Sequence, residues 1–489
     1  MTLRYFAVAL LLAGVAAHAA DAKYRKPDVV IPANWQTPAP WHEASPVDAI
    51  PKGSWWTLFG DAELNQYEER AMANNQTMKA AVSRLAEARA SARVTASGLY
   101  PELDANPSVS RQRISGNRPN LGSPIPTRPD TENTFTIPFT INYEIDLFGR
   151  IRRSVEAANE TLQASAADLE NIRLMVSSEL AADYFSLREL DAEIAVIQKA
   201  IEIQQKGLDL VNKRHEGGAV SGLDVAQQET VLESSLTQIY LLQQQRAQYE
   251  HALAALQGLP AAQFQAPVRA LDAQPPVVPL ELPSELLQRR PDIATAERQV
   301  ASANSQIGVA RAAFYPSIPL VGGGGLESRN ITTLFNAPSA LWSIGLSALE
   351  PLFAGGRLHA RLDLARASYD ENVANYRESA LVGFQQVEDA LAGLNALQSA
   401  SQSQQRAVDA AERSLNLANT RYTGGLVTYL DVVTAETQAL TSERLATQIL
   451  GERLVTSVYL VKALGGGWDS SSLAAVGIVK PSLKQAVRQ

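Results

Sequence analysis

Residue types that carry chemistry are scarce in this 489-residue chain, which has no cysteine, five scattered histidines and four methionines. The lack of cysteine excludes thiolate nucleophiles, iron–sulfur clusters, disulfide scaffolds and zinc-finger chemistry. The histidines form no metal-binding pattern, and after residue 20 only Met72, Met78 and Met175 offer soft sulfur. Ser221-Gly222-Leu223-Asp224 lacks the G-x-S-x-G frame of a nucleophile elbow, and a related segment further on begins with Thr428. Gly322–Gly325 is not followed by the Lys-Ser/Thr of a phosphate-binding loop, and a strand bend or bulge accounts for it better. The chain is read as a non-enzyme without cofactor or metal.

The polar residues that do recur belong to one motif met twice. Arg214-His215-Glu216-Gly217-Gly218 … Leu223-Asp224-Val225 returns as Arg421-Tyr422-Thr423-Gly424-Gly425 … Leu430-Asp431-Val432. Gly217, Gly218, Gly424 and Gly425 supply the backbone freedom that a reversal between two helices needs. Two readings of Asp224 and Asp431 stay open. They cap the helix that follows, or they join Arg214 and Arg421 in a latch at the helix ends. An exposed ion pair contributes only about 0.2–1 kcal/mol, and 0.15 M salt screens it over about 8 Å. A latch would therefore need several partly buried pairs, or hydrogen bonds from Tyr422.

The elements that place this motif are long. Ser154–Lys213 has no proline and one glycine, and Arg357–Arg421 has no proline. Sixty helical residues span roughly 90 Å. Leu162, Leu169, Ile172, Val176, Leu180, Tyr184 and Leu187 form a packing stripe between heptad and plain helical period, with many alanines beside it. A coiled-coil rod would show the same stripe. Further echoes run in the same order through both halves. Ala90-Ser91-Ala92-Arg93 … Leu99-Tyr100-Pro101 matches Gly308-Val309-Ala310-Arg311 … Phe314-Tyr315-Pro316. Leu147-Phe148-Gly149-Arg150 matches Leu352-Phe353-Ala354-Gly355-Gly356-Arg357. Together they predict an internal twofold repeat. Arg150 and Arg357 follow the strand exits, either at a membrane or partner edge or as ordinary helix-start residues.

Strands separate a rod from a membrane protein. Across 134–147, Phe135, Ile137, Phe139, Ile141, Tyr143, Ile145 and Leu147 alternate with Thr, Pro, Asn, Glu and Asp. Fourteen residues reach about 46 Å, long for a soluble sheet. Trp342, Ile344 and Leu346 continue the pattern in 339–350, with weaker partners near 102–113 and 317–329. Apolar outside and small or polar inside is the transmembrane β-barrel pattern. A soluble sheet stays open as a reading on this pattern alone; if the strands enter a membrane, four cannot close a barrel, so several chains must contribute to one. Met1–Ala19 reads as an export signal, with Arg4, an apolar stretch and Ala17-His18-Ala19 as the cleavage site. Lys26–Trp56, with Trp35, Trp41, Trp55 and Trp56, reads as an extended strap. The net charge of −8 speaks against bulk nucleic-acid binding.

Taken in order, Trp56-Thr57-Leu58-Phe59-Gly60-Asp61, Tyr143-Glu144-Ile145-Asp146-Leu147-Phe148-Gly149-Arg150, Leu287-Gln288-Arg289-Arg290-Pro291-Asp292-Ile293 and Ala312-Ala313-Phe314-Tyr315-Pro316 closely resemble the TolC-like outer-membrane efflux proteins. The likeness is to the branch that serves resistance–nodulation–division (RND) transporters. It implies a mixed α/β membrane protein: a homotrimer with a composite β-barrel, four strands per chain, continuing into a long α-helical barrel. It further implies a passive duct for drugs or other small toxic solutes, with a periplasmic adaptor, an inner-membrane RND transporter and outer-membrane lipid as partners and a gate at the glycine-turn end. An exit channel for protein secretion is the alternative on the same fold. The expected layout is signal 1–19, strap 20–61, first repeat 62–265, linker 266–283, second repeat 284–463 and C-terminal segment 464–489. Many relatives carry a lipidated N-terminal cysteine; without one, anchoring falls to the barrel.

The alternation fixes orientation: Phe139 should face lipid and Thr140 the lumen, so a membrane-impermeant thiol reagent should label Thr140→Cys and spare Phe139→Cys. Phe139→Arg should cost about 2–4 kcal/mol near the bilayer midplane, and equal rapid labelling of both positions would refute the assignment.

Overall fold

The computed structural model describes residues 24–36, 53–113, 115, 131–278, 283–476 and 479. The export signal, Trp41 and nearly all of the chain beyond 476 lie outside the described residues. The first half runs α1 (Ala62–Asn74), α2 (Gln76–Ser97), β1 (Glu102–Ala105), β2 (Ser108–Arg113), β3 (Thr131–Glu144), α3 (Arg150–Glu216) and α4 (Gly222–Leu256). The second runs α5 (Pro283–Arg289), α6 (Pro291–Ala312), β4 (Pro319–Ser328), β5 (Ala340–Leu346), α7 (Arg357–Thr423) and α8 (Tyr429–Ala463). Both α3 and α7 have 67 residues, about 100 Å of helix. Both α4 and α8 have 35. No helix among the described residues is long and apolar enough to cross a membrane.

Each 67-residue helix is flanked by two shorter ones: α4 and α2 pack on α3, and α8 and α6 pack on α7. The sequence predicts one helix over 62–96, but the chain breaks at Asn75, whose ψ of 130° is extended. That residue is buried and serves two helix ends. Its Oδ1 accepts from Met78 N at 3.0 Å and starts α2, while its Nδ2 donates to Leu256 O at 2.8 Å and closes α4. In the second half Arg290, also buried, precedes α6. Its Nη1 donates to Ala463 O at the end of α8 (3.1 Å) and to Gln386 Oε1 on α7 (2.8 Å), with Asp292 holding the rest of the guanidinium. The predicted stripe of α3 is buried as expected from Ile172 to Leu187, but the surroundings are fuller than a stripe. Ser177, Ala181, Phe185 and Arg188 are buried as well, because α2, α4, α6 and α8 all contact this helix.

The strands form one antiparallel sheet in which β1 and β2 both pair with β3, followed by β4 and β5. The stretch expected as one strand over 102–113 is interrupted at Asn106-Pro107, where proline has no N–H for the ladder. The register runs on unbroken from Ala105↔Phe139 to Ser108↔Thr136. Strand β3 lies a turn earlier than the alternation suggested, 131–144 instead of 134–147. Past Glu144 the chain turns so that Asp146 accepts from Ile151 N (3.1 Å) and Arg152 N (2.8 Å), capping α3 where Gly149 offers no side chain. Arg150 makes a two-pronged ion pair with Glu144, which accounts for it as a helix-start residue. Leu103, Ile141, Gly322 and Ile344 lie abreast, as do Ala105, Phe139, Gly324 and Trp342. The seven apolar residues singled out in β3 and β5 therefore share a face. Gly325 approaches the backbone so closely that a Cβ there would collide with Ile137 O.

The main core lies around the middle of α3. Trp55, Trp56 and Phe59 of a short 3₁₀ turn are buried there with Tyr67, Tyr184 and Phe185. The strap crosses α6 and α7: Tyr24 Oη donates to Glu297 (2.6 Å), and Trp35 packs on Phe384. Asn75→Ala should destabilise the detergent-solubilised protein by about 2 kcal/mol, since it removes a cap and orphans a carbonyl. Asn75→Ser keeps the cap acceptor but is too short for Leu256 and should recover about half, read from urea midpoints; equal losses would show that the cap contributes nothing, and full recovery that the α4 contact contributes nothing.

Candidate functional site

The two glycine turns come together at one end of the helices and have the same construction. At the first, Gly218 N donates to His215 O and Ala219 N to Arg214 O; at the second, Gly425 N donates to Tyr422 O and Leu426 N to Arg421 O. Only the second glycine of each pair is left-handed, Gly218 at φ +74° and Gly425 at +72°. Gly217 and Gly424 have φ of −80° and −78°. The next helix then opens on a capping box. Asp224 Oδ2 accepts from Ser221 N and Oγ, both at 2.9 Å. Asp431 Oδ2 accepts from Thr428 N at 3.0 Å and Oγ1 at 2.8 Å.

Both aspartates thus follow the capping reading within this chain. Among the described residues no ion pair joins Arg214 or Arg421 to Asp224 or Asp431. The two hairpins are instead linked through aromatic rings. The Arg214 guanidinium lies 5.0 Å over the Tyr422 ring, and that ring contacts Tyr429 at 5.1 Å. Tyr429 Oη donates to Gln228 Oε1 (2.8 Å), and Gln228 Nε2 donates to Gln204 O (2.8 Å). This chain of contacts touches α3, α7, α8, α4 and α3 again. The Tyr422 hydroxyl is buried without a hydrogen-bond partner among the described residues. Burial raises the Tyr429 hydroxyl pKa, with Glu436, Tyr422 and Asp224 adding to it, so the hydroxyl stays a donor. Burial also pushes Glu436, two turns further along α8, up to about 7.

A model of the outer membrane efflux protein family matches residues 68–259 and 282–466. The chain belongs to the outer membrane efflux protein family. It is 33% identical over 436 residues to the pyoverdine export outer membrane protein OpmQ of Pseudomonas aeruginosa, covering 88% of this chain and 92% of the relative. It is 31% identical over 468 residues to the cation efflux system protein CusC of Escherichia coli, covering 95% and 98%. The solved outer-membrane channel OprN superposes with a TM-score of 0.84 at 26% identity, over 92% of this chain and 99% of that one. The protein is an outer-membrane efflux channel.

Of the residues singled out for the tip of this efflux protein, Arg214 and Tyr422 touch each other, while among the described residues Arg421 makes neither an ion pair nor a ring contact. The sequence reading missed Tyr429, Gln228 and Gln204. One signal for them was present: Gly207, the lone glycine in the long first helix, sits where a Cβ would come within 3.1 Å of both Tyr429 Oη and Gln228 Nε2. The turns give a sharp contrast. Gly218→Ala and Gly425→Ala should each cost about 1–2 kcal/mol. Gly217→Ala and Gly424→Ala should be neutral or stabilising by about 0.4–1 kcal/mol. Hydrogen exchange at the turns checks this, and equal effects within a pair would contradict the assigned backbone angles.

Proposed function

We propose that three copies of this chain assemble into a passive duct: a twelve-stranded barrel in the outer membrane that opens into a helical tunnel in the periplasm. The observation that carries this reading is the sheet. Its strands, counting β1 and β2 as one interrupted strand, share an apolar face, and both edge strands have a single neighbour. Open edges are not tolerated in lipid, and four strands are too few to close alone. Closure by neighbouring copies meets both demands, with Phe135, Ile137, Phe139, Ile141, Trp342, Ile344 and Leu346 toward lipid. The matched lengths of α3 with α7 and α4 with α8 support an internal repeat, 62–265 and 284–463. The described parts of the strap, of the linker (266–278) and of the segment from 464 to 476 form a belt around the middle.

In this reading the duct has no catalytic step of its own. A periplasmic adaptor joins it to an inner-membrane RND transporter, as the resemblance to that branch implies. Its cargo is drugs or other small organic toxicants. The packing of Met72 and Met78 among helix residues, beside Ile172 and Val176, supports organic cargo over soft metal ions. Native mass spectrometry and planar-bilayer recording test the assembly together. A monomer, or a trimer that never conducts, would refute the duct.

The turn end is the gate of this duct. The Arg214–Tyr422 stack is of the kind that contributes about 0.5–1 kcal/mol where exposed. The Tyr429–Gln228 hydrogen bond adds about 0.5–1.5 kcal/mol. Together they amount to a few RT, weak enough for a docking partner to open. Tyr422→Leu combined with Tyr429→Phe should raise single-channel conductance at unchanged trimer yield. Arg421→Ala should leave it unchanged. Unaltered conductance in the correctly assembled double variant would remove the ring stack from the gate.

A further inference from the structure

We propose that Phe353 is a subunit-joining side chain that stacks on Tyr100 of the partner subunit where the sheet meets the helices. The inference rests on the trimeric reading above and goes beyond it by naming the contact. Within one chain, β3 and β4 are neighbours. Just past their paired ends, Ile145 N donates to Ile318 O at 2.9 Å. There the Phe148 and Tyr315 rings stack with centroids 4.9 Å apart and planes 11° from parallel. Phe148 belongs to the turn from strand to long helix, and Tyr315 to the turn from short helix to strand.

Both turns have a counterpart. Leu147-Phe148 is matched by Leu352-Phe353, between β5 and α7, and Phe314-Tyr315-Pro316 by Leu99-Tyr100-Pro101, between α2 and β1. Phe353 therefore occupies the Phe148 position of its half, and Tyr100 the Tyr315 position. They cannot meet inside one chain, because β1 and β5 form opposite edges of the sheet. Phe353 is 92% exposed and Leu352 94%, whereas Phe148 is half-buried against its partner ring. When β5 of one copy pairs with β1 of the next, the neighbour relation of β3 and β4 is reproduced across the joint, and the second stack forms with it. The occupant of this apolar turn is a second copy of the chain. A lipid anchor is the competing occupant, but the equivalent ring in the first half turns to a neighbouring strand's tyrosine.

The chain has no cysteine, so introduced thiols are the only ones. Tyr100→Cys with Phe353→Cys, treated with a short bis-thiosulfonate in native membranes, should give a covalent ladder up to trimer on denaturing gels. Phe148→Cys with Tyr315→Cys should cross-link without change of mass, and Phe353→Cys alone should give no ladder. Phe353→Ala should lower the temperature at which the SDS-resistant trimer falls apart. A trimer by native mass spectrometry in which the 148/315 pair closes and the 100/353 pair does not would overturn this contact while leaving the trimer standing. So would quenching of a fluorophore on Phe353→Cys by nitroxide lipids, which would assign the turn to the membrane. A monomer by native mass spectrometry would sink the assembly and the contact with it.

Discussion

A helix that ends inside a protein must find partners for its last carbonyls and first amides, and this fold contains two such junctions. Each 67-residue helix has neighbours of 35 and 22 residues, so each flanking rod has an interior joint. Asn75 at one joint and Arg290 at the other are buried polar side chains that close one helix while sitting at the start of the next. Neither is replaceable by an apolar residue of similar size, because Leu256 O and Ala463 O would then be buried without donors, at about 1–3 kcal/mol each. The glycine turns, the sheet and the belt all presuppose that the rods are held in line at these joints.

The proposed belt is held by charge as well as by its tryptophans. Arg188, buried on α3, reaches Asp191 (2.6 Å), Glu63 (3.1 Å) and Pro267 O (2.7 Å). Asp191 also receives Arg246 of α4 at 2.6 Å, and Arg246 holds Ala266 O at 2.9 Å. One network thus binds α1, α3, α4 and the linker. Removing one member would leave an uncompensated buried charge, a loss of about 3–5 kcal/mol. Glu68 shows the opposite solution. It is fully buried, neither carboxyl oxygen has a hydrogen-bond partner among the described residues, and burial holds its pKa well above the usual carboxylate range. The neutral acid is the form that fits there.

What the sequence disclosed follows from the range of each signal. Period-two alternation from Phe135 to Tyr143 and the proline-free stretches of α3 and α7 are local patterns, and the structure bears them out within a turn. The break at Asn75 was hidden because asparagine in a helical run is unexceptional. Only Leu256, far along the chain, explains it. At the tip, capping was one of the two readings that spacing left open for Asp224 and Asp431, and the capping box, closed within four residues, is the one they adopt within the chain. Arg214 over Tyr422 and Tyr429 on Gln228 are contacts between halves, and no local pattern announces them. The faint exception was Gly207, a lone glycine that marks a close approach without saying to what.

The joints also divide the molecule mechanically. Of the four rods in a chain, α3 and α7 are unbroken, and the other two are jointed. A twist imposed at the turn end travels the whole length of α3 and α7 through covalent, hydrogen-bonded helix. In α4 and α8 it meets a joint where one buried polar side chain, with the packing around it, replaces continuous helix, and it is partly absorbed there. The lower lengths of the rods can therefore swing or unwind slightly while the upper lengths, locked to the strands, stay still. Such a chain behaves like a pair of stiff shafts each beside a shaft with a coupling in it, able to turn at one end without wrenching the other.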